Sequence, residues 1–108
     1  MAKVLIGKYT LAHDEVRIDY AECPRYDRFV DVKAGDYPVY AYEEDITSWC
    51  GVRACYVDFG EFSSYWHGYA VATDPAFTPA EGWEIKVEKY ISSIDDAEHD
   101  FYSIIKTE

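Results

Sequence analysis

Polar and apolar residues alternate along much of the first ninety residues, and this period of two is the feature that most constrains the fold. Along Glu15–Tyr20, the apolar residues Val16, Ile18 and Tyr20 share one face of an extended chain, and the charged residues share the other. Trp83–Glu88 shows the same alternation. Successive side chains of a strand point to opposite faces, so both segments predict strands with one buried side and one side in water. Sheets that leave one face in water are commonly antiparallel.

Five further segments rich in tyrosine or β-branched residues also predict strands, which brings the total to about seven. They are Lys3–Leu11, Phe29–Lys33, Tyr37–Tyr42, Val52–Phe59 and Tyr65–Ala72. Proline lacks the N–H that a central strand donates, so Pro38 predicts an edge position for its strand. A chain of 108 residues is long enough for one core and too short for two, so we expect a single domain over residues 1–108 without a linker.

The period changes in the last part of the chain. From Ser93 onward, apolar residues recur three and four positions apart, at Ile94, Ala97, Phe101, Ile104 and Ile105. This spacing predicts an amphipathic helix of about three turns, with Ser93 as its N-cap. The sequence therefore predicts an α+β fold: a predominantly antiparallel sheet or sandwich of about seven strands, with one C-terminal amphipathic α-helix packed on it.

Acidic residues outnumber basic ones by 21 to 10, which gives a net charge of −11. Such a charge repels phosphate backbones and anionic lipid headgroups, so it disfavours direct binding to nucleic acid or a membrane surface. Residues 1–53 carry −3 and residues 54–108 carry −8. Solubility alone asks for a net charge of about 2 to 8 in a small domain, and self-repulsion costs stability. We therefore expect an acidic surface that receives a basic partner, although solvation alone is the simpler explanation for any one cluster.

Eleven tyrosines are more than the core of such a chain needs, and several of them fall on both faces of their predicted strands. Tyrosine gives a large contact area and a hydroxyl at a low cost in ordering entropy, which is why protein interfaces are rich in it. Tyr20, Tyr56 and Tyr90 are expected in the interior. The segment from Phe62 to Tyr69 interleaves aromatic and small polar residues, and it is also suited to stacking on a base or a sugar.

Cysteines and histidines give no strong signal for a metal site or a catalytic site. Cys23, Cys50 and Cys55 are odd in number and contain no C-x-x-C pair, which favours reduced thiols. The N-terminal segment has no secretory apolar stretch, so a cytoplasmic protein is expected. A zinc site from Cys50, Cys55 and His67, a cysteine nucleophile paired with His13 or His67, and a carboxylate pair of Asp58 and Glu61 are all weak patterns. We predict no metal, no cofactor and no enzymatic activity.

These features together predict a small acidic binding protein that inhibits by covering the basic, nucleic-acid-binding surface of a protein partner such as a nuclease. The expected contacts are Glu43, Glu44, Asp45, Asp58, Glu61, Tyr65, Trp66, Asp96 and Asp100. In composition, though not in any motif, the chain resembles phage anti-defence inhibitors, including DNA mimics, and toxin immunity proteins. The alternative is a small-ligand or nucleotide-binding domain with a pocket lined by Tyr65, Trp66, His67 and Tyr69. The sequence leaves the oligomeric state open.

Overall fold

Antiparallel strands make up most of the fold, which confirms the main prediction. The computed structural model describes residues 2–19 and 28–107. The strands are β1 (Lys3–Leu11), β2 (Glu15–Asp19), β3 (Arg28–Val32), β4 (Gly35–Tyr42), β5 (Ile46–Thr47), β6 (Gly51–Val52), β7 (Ala54–Asp58), β8 (Ser63–His67), β9 (Phe77–Pro79), β10 (Trp83–Ile91) and β11 (Glu98–Lys106). A 3-10 helix spans Glu43–Asp45, and a short helix, α1, spans Gly68–Ala72. Tyr20 and Cys23, discussed above, lie outside the described residues.

Five strands form one antiparallel sheet in the order β8-β7-β4-β1-β9. The hairpins β2–β3, β5–β6 and β10–β11 form three smaller sheets of two strands each. The seven predicted strands overlap β1, β2, β3, β4, β7, β8 and β10. The segment predicted over Tyr65–Ala72 leaves the strand conformation after His67, where α1 begins.

Pro38 does not mark an edge strand, so that prediction is wrong: β4 lies between β7 and β1. Pro38 is paired with Lys8 of β1, whereas the ladder from β4 to β7 runs through Val39 and Tyr40. The proline therefore lies just before the stretch that β7 pairs with. A residue without an N–H is tolerated in a strand where the ladder on one side is missing.

One side of the five-stranded sheet is packed into the core. Val39 of β4 and Val57 of β7 are directly opposite each other and fully buried. Val30 and Val32 of β3 and Val71 of α1 belong to the same apolar cluster. Each fully buried side chain of this size stabilises the fold by roughly 1.5–3 kcal/mol through removal from water. The opposite side of the sheet faces solvent.

The predicted C-terminal helix is wrong, because residues 98–106 form strand β11. This strand pairs with β10 over nine residue pairs, from Trp83 opposite Lys106 to Ile91 opposite Glu98. We call residues 83–106 the hairpin arm. Aromatic and β-branched residues are frequent in β11 and favour a strand, and the cross-strand pairs with β10 stabilise it further.

Only the base of the hairpin arm joins the core. Ile104 is fully buried, whereas 72% of Ile91 and 94% of Ile94 are exposed. The turn at the tip is closed by two backbone hydrogen bonds: the N–H of Ser92 donates to the carbonyl of Ala97 (3.0 Å), and the N–H of Asp96 donates to the carbonyl of Ser92 (2.9 Å). The hairpin arm therefore presents Ile91 and Ile94 to solvent around a hydrogen-bonded turn.

Gly51 holds the β5–β6 hairpin close to the base of the arm. Its φ of +72° is one that side chains rarely allow, and a Cβ at this position would collide with the backbone oxygen of Ile104. Gly68 begins α1, where a Cβ would meet the backbone oxygen of Val52. Within residues 2–19 and 28–107, no helix is long and apolar enough to cross a membrane.

Candidate protein-binding face

The solvent-facing side of the five-stranded sheet carries a row of four tyrosines. The register places Tyr40 of β4 opposite Tyr56 of β7, and Tyr56 opposite Tyr65 of β8. The ring of Tyr56 lies 5.7 Å from those of Tyr40 and Tyr42 and 5.2 Å from that of Tyr65, measured between centroids. These separations are typical of favourable aromatic contacts. We call this row, Tyr40, Tyr42, Tyr56 and Tyr65, the tyrosine face.

The four rings of the tyrosine face differ in how much they expose. Tyr56 is only 6% exposed although it lies on the solvent side of the sheet, because the other three rings cover it. Tyr40 and Tyr42 are half-buried. Tyr65 is 68% exposed at the end of the row. The tyrosine face is thus a supported aromatic platform, in which three rings hold the fourth, and not a set of separate exposed side chains.

The environment of Tyr56 and Tyr65 extends the pH range over which their hydroxyls stay protonated. Burial raises the pKa of Tyr56, and the neighbouring Tyr42, Tyr65 and Asp58 raise it further. Partial desolvation and the adjacent Tyr42 raise the pKa of Tyr65. Both side chains therefore remain neutral hydrogen-bond donors at physiological pH.

These shifts predict a loss of stability at alkaline pH. The unfolded chain releases its tyrosine protons near pH 10, whereas folded Tyr56 retains its proton, so stability falls as the pH rises from about 10 towards the folded pKa. We expect Tyr56→Phe to reduce the loss of unfolding free energy between about pH 9 and pH 11. Urea denaturation at both pH values measures it, with Tyr90→Phe as the control. An unchanged pH dependence in Tyr56→Phe would contradict the prediction.

One cation already lies on the tyrosine face. The Nζ of Lys3 is 4.3 Å from the centroid of the Tyr40 ring. An ammonium group at this distance from a ring face is attracted by the negative face of the π system. The platform can therefore accept basic side chains, which is the chemistry that a basic partner would offer.

Acidic residues lie at both ends of the tyrosine face. Glu43 and Glu44 follow Tyr42 directly in the 3-10 helix, where both are exposed. Asp58 ends β7 beside Tyr56, and Glu61 is exposed in the turn to β8. We call Glu43, Glu44, Asp58 and Glu61 the acid rim.

The acid rim is not neutralised by the part of the chain that the structure describes. The ion pairs found there join other acids, namely Asp14, Glu15, Asp19, Asp36, Glu88, Asp95, Glu98 and Asp100, to basic side chains. Of these acids, Asp36 alone also lies on the solvent-facing side of the sheet, where it pairs with Lys8 at 3.3 Å. The four carboxylates of the acid rim therefore have no ion-pair partner within residues 2–19 and 28–107.

Three of the other predicted contacts lie away from this face. Trp66 points to the opposite side of β8, where its ring is 5.7 Å from that of Tyr9 and its Nε1–H donates to Ser64 Oγ. Asp96 and Asp100 belong to the hairpin arm, and Asp100 pairs with Lys89 at 3.4 Å. The structure does not bring these three residues together with the acid rim.

Asp45, the remaining predicted contact, adjoins the acid rim in sequence. It is half-buried at the end of the 3-10 helix, and its carbonyl accepts the N–H of Arg53 at 2.7 Å. The structure thus places five of the nine predicted contacts at or around the tyrosine face, with Asp45 next to them.

Of the four residues predicted to line a ligand pocket, Tyr65 and Trp66 line one cleft, and His67 and Tyr69 lie outside it. Tyr65 and His67 lie on the solvent-facing side of β8, and Trp66 lies on the other side. Tyr69 lies in α1 and stacks on Phe101 at 6.0 Å. The cleft, of about 630 Å³, lies between β2 and β8 and is lined by Val16, Arg17, Ile18, Ser63, Ser64, Tyr65 and Trp66.

The cysteines and histidines considered for chemistry are dispersed. Cys55 is buried in the core, and burial raises the pKa of its thiol to about 12, so it is not a thiolate nucleophile at neutral pH. Cys50 lies in the turn before β6 and is 2.9 Å from the hydroxyl of Thr47. In the two described ranges, no three His, Cys, Asp or Glu side chains converge as metal ligands would.

Comparisons of the chain with protein-family models, with curated proteins and with solved structures find no match.

Proposed function

We propose that the protein is a non-enzymatic inhibitor whose tyrosine face and acid rim cover a basic, nucleic-acid-binding surface of a protein partner. The observation that supports this proposal is the position of uncompensated carboxylates at both ends of an aromatic platform on one sheet face. Aromatic centres with a charged rim are the usual anatomy of a specific protein interface.

The two groups of residues have different roles in binding. The acid rim attracts a positively charged partner over distance, which raises the association rate and fixes the orientation of encounter. The tyrosine face then loses water on contact and supplies most of the affinity, as buried aromatic anchors do. Arginine and lysine side chains of the partner stack on the rings, as Lys3 does on Tyr40.

The partner that fits this face is a cytoplasmic protein that binds nucleic acid, for example a nuclease. A surface built to hold phosphates is rich in arginine and lysine, and it is complementary to carboxylates at the edge of an aromatic patch. Cys50 and Cys55 are both free thiols, as is usual in a reducing compartment. The resemblance to phage anti-defence inhibitors and toxin immunity proteins is then a resemblance in mode of action: the protein inhibits by covering a surface of its partner.

Partner capture is expected to depend on salt and on the acid rim. A tagged chain should retain a basic protein from host lysate at about 50 mM salt and release it at about 500 mM, since exposed charges are screened within a few ångströms at high ionic strength. Neutralising three of the four carboxylates of the acid rim with Glu43→Gln, Glu44→Gln and Asp58→Asn should reduce retention at low salt about tenfold or more. Mass spectrometry of the eluate identifies and quantifies the partner.

A matched variant separates the rim from total charge. Asp31→Asn, Glu81→Gln and Glu84→Gln remove the same number of charges at exposed positions that make no ion pair within the described residues. This control should retain the partner, and the native chain should displace nucleic acid from it. Equal loss of retention in both variants would count against a localised binding face.

The cleft between β2 and β8 supports a second candidate function, the binding of a small ligand. Its volume of about 630 Å³ lies within the range of roughly 300–1,000 Å³ that ligand sites occupy. Arg17 gives the cleft a charged group, held by Glu15 at 2.8 Å. Binding there should change the fluorescence of Trp66 and respond little to salt, which distinguishes it from capture through the acid rim.

A further inference from the structure

The outer edge of β10 has no strand beside it within residues 2–19 and 28–107, because the hairpin arm forms a sheet of its own with two strands. Such an edge presents a row of backbone N–H and C=O groups that can pair with another strand. Apolar side chains accompany it: 51% of Val87 and 72% of Ile91 are exposed. The arm therefore has both the backbone groups and the apolar surface that strand addition uses.

We propose that two copies of this chain associate through β10 about a twofold axis, forming one antiparallel sheet in the order β11-β10-β10-β11. Residues directly opposite each other in an antiparallel pair lie on the same face. A symmetric pair of β10 strands must therefore be centred on one residue that meets its own copy. Only a few registers meet this condition. They can be ranked by the side chains that each register places opposite each other.

The register centred on Val87 is the one that the charges favour. It places Lys86 opposite Glu88 on both sides of the axis, and it places Trp83 opposite Ile91. Because Val87 is the middle residue of Trp83–Ile91, all nine residues of both strands pair. Registers centred on Lys86, Glu88 or Lys89 put like charges opposite each other, which destabilises a sheet. A register centred on Ile85 pairs the base of each strand only.

The charge distribution along the chain also singles out this edge. The molecule carries −11, but β10 itself contains two acids, Glu84 and Glu88, and two bases, Lys86 and Lys89. All three basic residues of the segment 54–108 lie in the hairpin arm. The edge is thus locally neutral in an acidic molecule, so two copies can approach there with the least repulsion. Lysines on an edge strand usually protect it from non-specific pairing. In β10, Lys86 also favours one register over the others.

Cysteine cross-linking tests the register directly. In a background with Cys23→Ser and Cys50→Ser, a Val87→Cys variant should form a disulfide-linked dimer under mild oxidation, because the two residues at position 87 are adjacent across the axis. Tyr90→Cys is the matched control: position 90 lies opposite Glu84, so the two copies of position 90 are six residues apart along the sheet, which is too far for a disulfide. Cross-linking of Tyr90→Cys but not of Val87→Cys would overturn the proposed register.

Charge exchange tests the interaction without a covalent bond. Lys86→Glu converts both opposite-charge pairs into like-charge pairs, so the dissociation constant of the dimer, measured by sedimentation equilibrium, should rise about tenfold or more. The double variant Lys86→Glu, Glu88→Lys restores opposite charges and should return it to within about threefold of the native value. A chain that remains monomeric up to millimolar concentration would refute the proposal and leave the proposed function intact.

Discussion

Replacing Ile104 by alanine is expected to lower the free energy of unfolding by about 3 to 4 kcal/mol, as is typical when a fully buried isoleucine leaves a cavity. Ile104 is 0% exposed and joins the base of the hairpin arm to the core. The neighbouring Ile105 points to the other face of β11 and is half-buried, so Ile105→Ala should cost about half as much or less. Urea denaturation of the two variants measures the difference.

This pair of variants also distinguishes a strand from the helix that the spacing predicts. On a helix, Ile104 and Ile105 would share the apolar face and both would be buried, so both substitutions would cost similar amounts. On β11 they point to opposite faces of the hairpin arm: Ile104 shares its face with Ile85 of β10, and Ile105 shares the other face with Glu84. Equal losses of stability would therefore argue against the hairpin arm.

The tail was mispredicted because its sequence fits both periods. Alternation is visible only when one side of a strand is polar, and β11 carries apolar residues on both sides, with Tyr102 and Ile104 on one and Phe101 and Ile105 on the other. Ile94, which completes the helical pattern, lies in the exposed turn at the tip. What selects the strand is the ladder to β10, and tertiary pairing of this kind cannot be read from local spacing. The alternating segment of β10, by contrast, was predicted correctly.

The candidate site was predictable where residues lie close together in the sequence. Glu43 and Glu44 form a run, and Asp58 and Glu61 flank a turn, so both clusters could be found without a fold. The tyrosine face could not be predicted in this way, because Tyr40, Tyr56 and Tyr65 come together only through the register of three strands. Tyr56 is buried, as the sequence predicts, but beneath other tyrosines on the solvent side of the sheet. The same prediction is wrong for Tyr90, which is 49% exposed on the hairpin arm.

Trp66 shows the opposite error. Because Trp66 follows Tyr65 in the sequence, both residues were predicted to contact a partner through the same face. Neighbours in a strand, however, point to opposite sides. Once β8 pairs with β7, Tyr65 joins the tyrosine face and Trp66 packs against Tyr9. Aromatic composition therefore predicted an interface. Only the assignment of Ser63–His67 to a strand shows that Tyr65 and Trp66 lie on different faces.

The largest effect on binding is expected from Tyr65→Ala, which should weaken the affinity for the captured partner about 30-fold or more, the loss that defines an interface hot spot. Tyr65 is the most exposed ring of the tyrosine face, and its position over Tyr56 is fixed by packing, so little ordering entropy is lost on binding. Titration calorimetry with the purified partner measures the affinity, and thermal unfolding checks that the variant is folded.

Two further variants separate the ring of Tyr65 from its hydroxyl and from tyrosine content in general. Tyr65→Phe keeps the apolar area and should cost only about fivefold, since one hydrogen bond is worth about 1 kcal/mol. Tyr69→Ala removes a tyrosine of comparable exposure, 48%, that lies in α1 away from the face, and it should leave the affinity unchanged. If Tyr69→Ala weakened binding as strongly as Tyr65→Ala, the partner would contact the side of α1 and the hairpin arm, where Tyr69 stacks on Phe101, and the solvent-facing side of the sheet would have to be given up as the binding face.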